Sequence, residues 1–141
     1  MNGVLLDTNI VSELRKQERA DVHVRAWFAA QEADRLFLSV LTIGELRRGV
    51  LLVRRRDAAQ ADRLETWLDG LIESAGDRIL RVDERVALRW AQLMVPQPRP
   101  VVDALLAATA SVHGLVLATR NTADVEGTGV PLVNPFEPAR R

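Results

Sequence analysis

The chain has 141 residues, 48% of them apolar, and no net formal charge. That length suits one domain with ample material for a core, and a neutral balance argues against sequence-independent coating of nucleic acid. Cysteine is absent and only two histidines are present, which excludes disulfides, thiolate metal sites and zinc sites built from several histidines.

Tyrosine is also missing, so no tyrosine nucleophile exists. Neither GxGxxG nor GxxxxGK[ST] occurs, which removes support for dinucleotide and P-loop sites. No apolar run approaches a membrane span, and the opening Met1-Asn2-Gly3 lacks a basic n-region. A cytoplasmic protein with no membrane association is expected. Of the basic residues only Lys16 is lysine. Arginine suits bidentate phosphate contacts, although GC-rich coding gives the same skew.

The elements follow in chain order. Residues 3–6 read as a short buried strand, and Asp7-Thr8-Asn9 offers N-cap chemistry for a helix over 10–16. Residues 21–31 have helical spacing of Val22, Val24, Trp27 and Phe28. A second strand is expected over 36–40. Thr42-Ile43-Gly44-Glu45 fits a capping box, which places Glu45 in the first turn of a helix running to about Arg54. Residues 57–75 form a long amphipathic helix closed by Gly76, and 78–82 a short strand. Asp83 caps a helix carrying Val86, Trp90 and Leu93. Pro96, Pro98 and Pro100 enforce a loop. An Ala-rich helix over 101–113 ends at Gly114 as a C′ residue. Strands are expected at 115–118 and 130–133, with a loop or short helical turn between them.

Strands and helices therefore alternate. The pattern predicts an α/β fold: one domain over 1–141, with a central, mostly parallel sheet of about five short strands and helices on both faces. The core should span about 3–136, with 137–141 a frayed tail and the chain extended or frayed from Asn134 onward.

Four acids stand out against this frame: Asp7, Glu45, Asp103 and Asp124. In open parallel sheets, sites form beyond the carboxyl ends of the strands. Asp7 follows the first strand. Thr119, Asn121 and Asp124 follow the strand at 115–118. Glu45 and Asp103 begin helices that face the same edge. Each acid also has a plain structural role: capping for Asp7 and Glu45, a helix-dipole contact for Asp103, a solvated turn for Asp124. Asp103 is nevertheless a lone charge between Val101-Val102 and Ala104-Leu105-Leu106, and such a carboxylate needs a partner. If the four meet, their repulsion raises proton affinity unless a divalent cation binds. Oxygen ligands suit Mg2+ or Mn2+. A metal-activated water could then hydrolyse a phosphodiester with no protein nucleophile.

Other residues have simpler readings. His23 belongs on a helix surface and His113 at a helix C-terminus. Trp27, Trp67 and Trp90 share helical spacing with aliphatics and read as core or interface. Arg54-Arg55-Arg56 reads as a solvated face. Arg47 and Arg48, just beyond Glu45, are candidate contacts to RNA phosphate. The apolar residues of the helices at 10–16 and 43–53 could form a groove for a partner helix, or simply belong to the core.

A series of motifs resembles one known family. Leu6-Asp7-Thr8-Asn9-Ile10-Val11-Ser12-Glu13 is similar to the opening of PIN-domain proteins of the VapC toxin family. So are Ser39 to Gly49, Val102 to Ala110, Thr119-Arg120-Asn121-Thr122-Ala123-Asp124, and the closing Val133-Asn134-Pro135-Phe136. The likeness runs from about residue 3 to residue 136 and is strongest to the FitB-like subgroup. It implies a compact PIN fold and a Mg2+- or Mn2+-dependent endoribonuclease acting as the toxin of a type II toxin–antitoxin system. It carries metal-site roles to Asp7, Glu45, Asp103 and Asp124, with Thr8, Asn9, Thr119 and Asn121 in support. It also implies a homodimer, an RNA substrate, and a cognate antitoxin through which DNA is met only indirectly.

Other classes share parts of this pattern. A receiver-like phospho-accepting domain also gathers acids and Mg2+ at a sheet edge, but pairs adjacent acids near strand one and places a lysine near the last strands. Here Asp7 has no acidic neighbour, and Lys16 lies in the first helix. A non-catalytic protein- or DNA-binding module would show a helix-turn-helix or a basic face. A third possibility is a PIN-like nuclease that acts on DNA, or within RNA processing instead of toxicity.

Overall fold

The computed structural model describes residues 3–139. Five strands, β1 (Val4–Leu6), β2 (Leu36–Ser39), β3 (Ile79–Leu80), β4 (Val116–Ala118) and β5 (Leu132–Val133), form one wholly parallel sheet in the order β3-β2-β1-β4-β5. Six α-helices connect and cover it: α1 (Thr8–Leu14), α2 (Val22–Ala29), α3 (Val40–Arg54), α4 (Ala58–Ala75), α5 (Glu84–Leu93) and α6 (Val101–His113). The expected α/β fold is therefore what forms. Among the described residues no helix is long and apolar enough to cross a membrane.

Strand side chains alternate faces, and the two cores follow that alternation. Leu5 and Leu117 point to one face, against Val86 and Leu93 of α5 and Leu106, Ala107 and Ala110 of α6. Val4, Leu6, Leu38 and Ala118 point to the other, against Ile10 and Val11 of α1, Trp27 of α2 and Ala75 of α4. Val50 of α3 meets Ala61 and Leu68 of α4 in a third, smaller cluster.

Aspartates cap four helices, Asp7 and Asp83 as expected and Asp21 and Asp57 in addition. Asp7, Asp21, Asp57 and Asp83 each accept hydrogen bonds from first-turn amides. Gly114 closes α6 in the left-handed region, at φ 65°, where a Cβ would be strained.

Several boundaries differ from the sequence reading. α1 spans Thr8–Leu14 instead of 10–16, because Asp7 is itself the cap, and a 3-10 turn at Gln17–Arg19 follows. β2 stops at Ser39, whose hydroxyl caps α3 by accepting from Leu41 N at 3.0 Å. Thr42 and Glu45 therefore lie inside α3 and make no capping box; Glu45 is in the second turn. β5 is only two residues long. Residues 134–137 make a turn around a buried Pro135 and not an extended tail. Residues 140–141 of the expected frayed end lie outside the described residues.

Candidate active site at the sheet switch point

β1 is the first strand in sequence yet sits at the centre of the sheet. The chain moves from it toward β2 and β3 on one side, and β4 and β5 lie on the other. The order reverses between β1 and β4, the place where open parallel sheets form their sites. Asp7 leaves β1 there and Thr119 leaves β4 beside it. The Asp7 amide donates to Ala118 O at 2.9 Å, and Thr119 N to Val133 O at 3.0 Å.

Asp7 is held from three directions. Thr119 Oγ1 donates to Oδ2 at 2.7 Å, Thr8 N to Oδ1 at 2.6 Å and Asn9 Nδ2 to Oδ2 at 3.3 Å. Only 6% of the residue is exposed. Burial pushes its carboxyl above the usual range, with the Glu45 charge adding to the effect, while the donors from Thr119, Thr8 and Asn9 oppose it. Thr8 Oγ1 also donates to Glu45 Oε1 at 2.6 Å, and Thr42 Oγ1 lies within hydrogen-bond reach of Thr8 Oγ1 at 3.2 Å. α1 and α3 are thus tied together through the second turn of α3.

Asp103 is the most perturbed of the acids. Its carboxyl is pushed up to about 6, first by burial, then by the charges of Asp7 and Asp124, a side-chain hydrogen bond with Asp124, and the charge of Glu45. Each of the other three acids therefore acts on Asp103. An open cleft of about 550 Å3 lies between them, lined by Asp7, Thr8, Asn9, Glu45, Asp103 and Asn121, with Pro100, Val101 and Val102 as its apolar wall. Asn121 N donates to Thr119 Oγ1 at 3.0 Å, and Arg120 N to Asn9 Oδ1 at 3.2 Å, which joins the loop after β4 to α1.

Among the described residues no three His, Cys, Asp or Glu side chains are gathered into a finished ion cage. The acids line the cleft and its rim at wider separation. Their all-oxygen chemistry and mutual repulsion still fit a hard divalent cation, which takes few protein carboxylates and keeps much of its own water.

The structure thus brings Asp7, Glu45, Asp103 and Asp124 to one edge, with Thr8, Asn9, Thr119 and Asn121 among them. It places Arg47 elsewhere: its guanidinium pairs with Glu65 and, at 3.7 Å, with Asp69 of α4. Arg48 is exposed on α3, and Arg54 pairs with Asp62 and Glu65. His23 is exposed and His113 ends α6. Trp27 and Trp67 pack on one core and Trp90 on the other. Thr42 was missed as a site residue. Its signal was available, because a hydroxyl three residues before an acid shares that acid's helix face.

The two helices considered for a partner groove take different roles. The apolar side of α3 packs on α4, so these residues of α3 belong to a core, the second of the two expected outcomes. α1 does line an apolar groove, of about 810 Å3, but with α2 and α4 as its other walls; Val11, Leu14, Phe28, Ala29, Trp67 and Leu71 line it and Arg15, Arg25 and Arg78 edge it.

A parallel sheet in this order, with acids gathered at its switch point, defines the class: the chain belongs to the PIN-domain family, which matches residues 4–124. Among its relatives is the protein named VapC ribonuclease Y4jK of Sinorhizobium fredii, 37% identical, with 96% of this chain and 99% of that protein covered. The FitAcB structure from Neisseria gonorrhoeae contains a chain with a TM-score of 0.86 and 32% identity, covering 94% of this chain and 98% of that one. A toxin–antitoxin complex from Klebsiella pneumoniae contains another, with a TM-score of 0.71 and 27% identity, covering 96% and 99%. Membership of this family, with no acid adjacent to Asp7, tells against the receiver-like alternative.

Proposed function

We propose that this protein is the toxin of a type II toxin–antitoxin pair, a Mg2+- or Mn2+-dependent endoribonuclease whose single domain fills residues 1–141. The observation that supports it best is the convergence of Asp7, Asp124 and Glu45 on Asp103, whose carboxyl is pushed up to about 6. Charges are rarely set against one another at a concave site without a function that uses them. The relative named as a VapC ribonuclease supports the reaction class, and the similar chain from a toxin–antitoxin complex supports the partner.

In this reading Asp7, Glu45, Asp103 and Asp124 hold the cation, which supplies the Lewis acidity that activates water toward a phosphodiester. The chain's own part is orientation. Thr119, Thr8 and Asn9 fix the Asp7 carboxylate in one pose. Thr8 occupies one oxygen of Glu45 and leaves the other for the cleft. Pro100, Val101 and Val102 limit water along one wall. A cognate antitoxin fits the groove between α1, α2 and α4 and would carry any DNA contact. Exposed Leu88, Val95 and Val101 suit the interface of a homodimer.

The test is cleavage of total RNA by the purified protein with Mn2+, Mg2+ or EDTA, beside Asp7→Asn. Discrete products are expected only from the wild type with metal, while Asp7→Asn retains its far-UV spectrum and melts at no lower temperature. An active Asp7→Asn protein would overturn the site assignment.

A further inference from the structure

An acidic cleft repels the polyanion it is meant to cut, so a nuclease needs a cation at the rim to hold the backbone. Several basic side chains are committed elsewhere. Lys16 pairs with Glu13, Arg35 with Glu32, Arg47 with Glu65 and Asp69, and Arg54 with Asp62 and Glu65. Arg99 donates to the carbonyls of Leu93 and Glu126. Arg120 differs. It stands between Thr119, which holds Asp7, and Asn121, which lines the cleft. It is exposed, and among the described residues it has no carboxylate within ion-pair distance.

Its guanidinium nonetheless has a partner, lying over the Phe136 ring at 4.3 Å from the centroid. That ring is itself fixed. Pro135 before it is buried, Phe136 N donates to Asn134 Oδ1 at 3.0 Å, and the ring packs against the core around Ala118. A guanidinium stacked on a ring face keeps its N–H donors pointing outward in its own plane. The backbone beneath is anchored as well, through Arg120 N to Asn9 Oδ1.

We propose that Arg120, stacked on Phe136, is the clamp for an RNA phosphate next to the scissile bond. The inference rests on the ribonuclease reading and names the residue that gives the acidic site its grip on the backbone. Phe136 is a positioning residue that lowers the cost of ordering the guanidinium.

The test measures kcat and KM with Mn2+ on an oligonucleotide copied from a cleavage point found in total RNA, for the wild type, Arg120→Ala, Arg120→Lys and Phe136→Leu. Arg120→Ala is expected to raise KM about ten-fold with kcat changed less than about two-fold. Its plot of log kcat/KM against log salt should be shallower by about 0.7, the contribution of one phosphate on a single strand. Arg120→Lys should keep the slope but only part of the affinity. Phe136→Leu should raise KM about three-fold with the slope intact. Unchanged KM in Arg120→Ala, or a fall in kcat alone, overturns the clamp. So does an Arg120→Ala protein that cleaves normally but no longer co-purifies with its co-expressed antitoxin, which would give Arg120 to the protein partner. A wild type that cleaves no RNA under any metal overturns the ribonuclease reading itself and this inference with it, whereas a cleaving wild type with an indifferent Arg120→Ala overturns only the inference.

Discussion

Asp103 shows at the scale of one residue what the site costs the fold. Its carboxyl has an ordinary value of 3.8 and is raised to about 6 in the folded chain. The folded state therefore binds this proton more tightly than the unfolded state does. Stability falls as pH rises from about 4 to about 6, and the full penalty persists above that range. Asp103→Asn removes it. In EDTA, the variant should melt close to the wild type near pH 4, and its advantage should grow to a plateau above about pH 6. Thermal melts across that range check this, and equal melting temperatures at neutral pH would count against the repulsion described. Cleavage should be lost in the same variant, so that stability and activity move in opposite directions.

At the scale of elements, the glycine with least room for a side chain stands where β1 begins. A Cβ on Gly3 would lie 2.5 Å from Phe37 Cε1 and 2.9 Å from both Arg35 O and Leu115 Cδ2. Phe37 could rotate, but the Arg35 carbonyl is backbone at the entry to β2. Gly3→Ala should cost about 1–3 kcal/mol through overpacking, read from the midpoint of a urea transition. An unchanged midpoint would show that β1 and β2 can part without loss.

Elements of this kind were largely legible in the sequence, because each start carries local chemistry: an aspartate before α1, α2, α4 and α5, and a glycine after α6. The acids Asp7 and Asp103 were legible for a related reason, as lone charges among aliphatics. The start of α3 was not. Ser39 and Thr42 both satisfy a local capping pattern, and the choice is made by where β2 stops pairing with its neighbours, which lies outside the segment. The commitment of Arg47 to Glu65 was hidden for the same reason, since it depends on how α3 lies along α4.

The whole molecule decides where a partner can bind. Because α4 covers the apolar side of α3, an open apolar surface is left between α1, α2 and α4, which keeps α1 as one wall of the expected groove and replaces α3 by α2 and α4. Ala29 lines that groove and is exposed, so a long charged side chain there fills it without disturbing a core. Ala29→Arg should cleave RNA as the wild type does and fail to retain a co-expressed antitoxin through affinity purification. Retention at wild-type stoichiometry would move the partner to another face. The same whole-chain geometry has a consequence in time. A ribosome adds Asp7 well before Thr119, which orients it and comes 112 positions later, and Val133 beyond that closes the strand beside it. A nascent chain shorter than this carries the first acid of the site without the hydroxyl that aims it. Under the proposed reading, the carboxylate at the centre of the site is aimed only once the strand carrying Thr119 has been made and has paired beside β1.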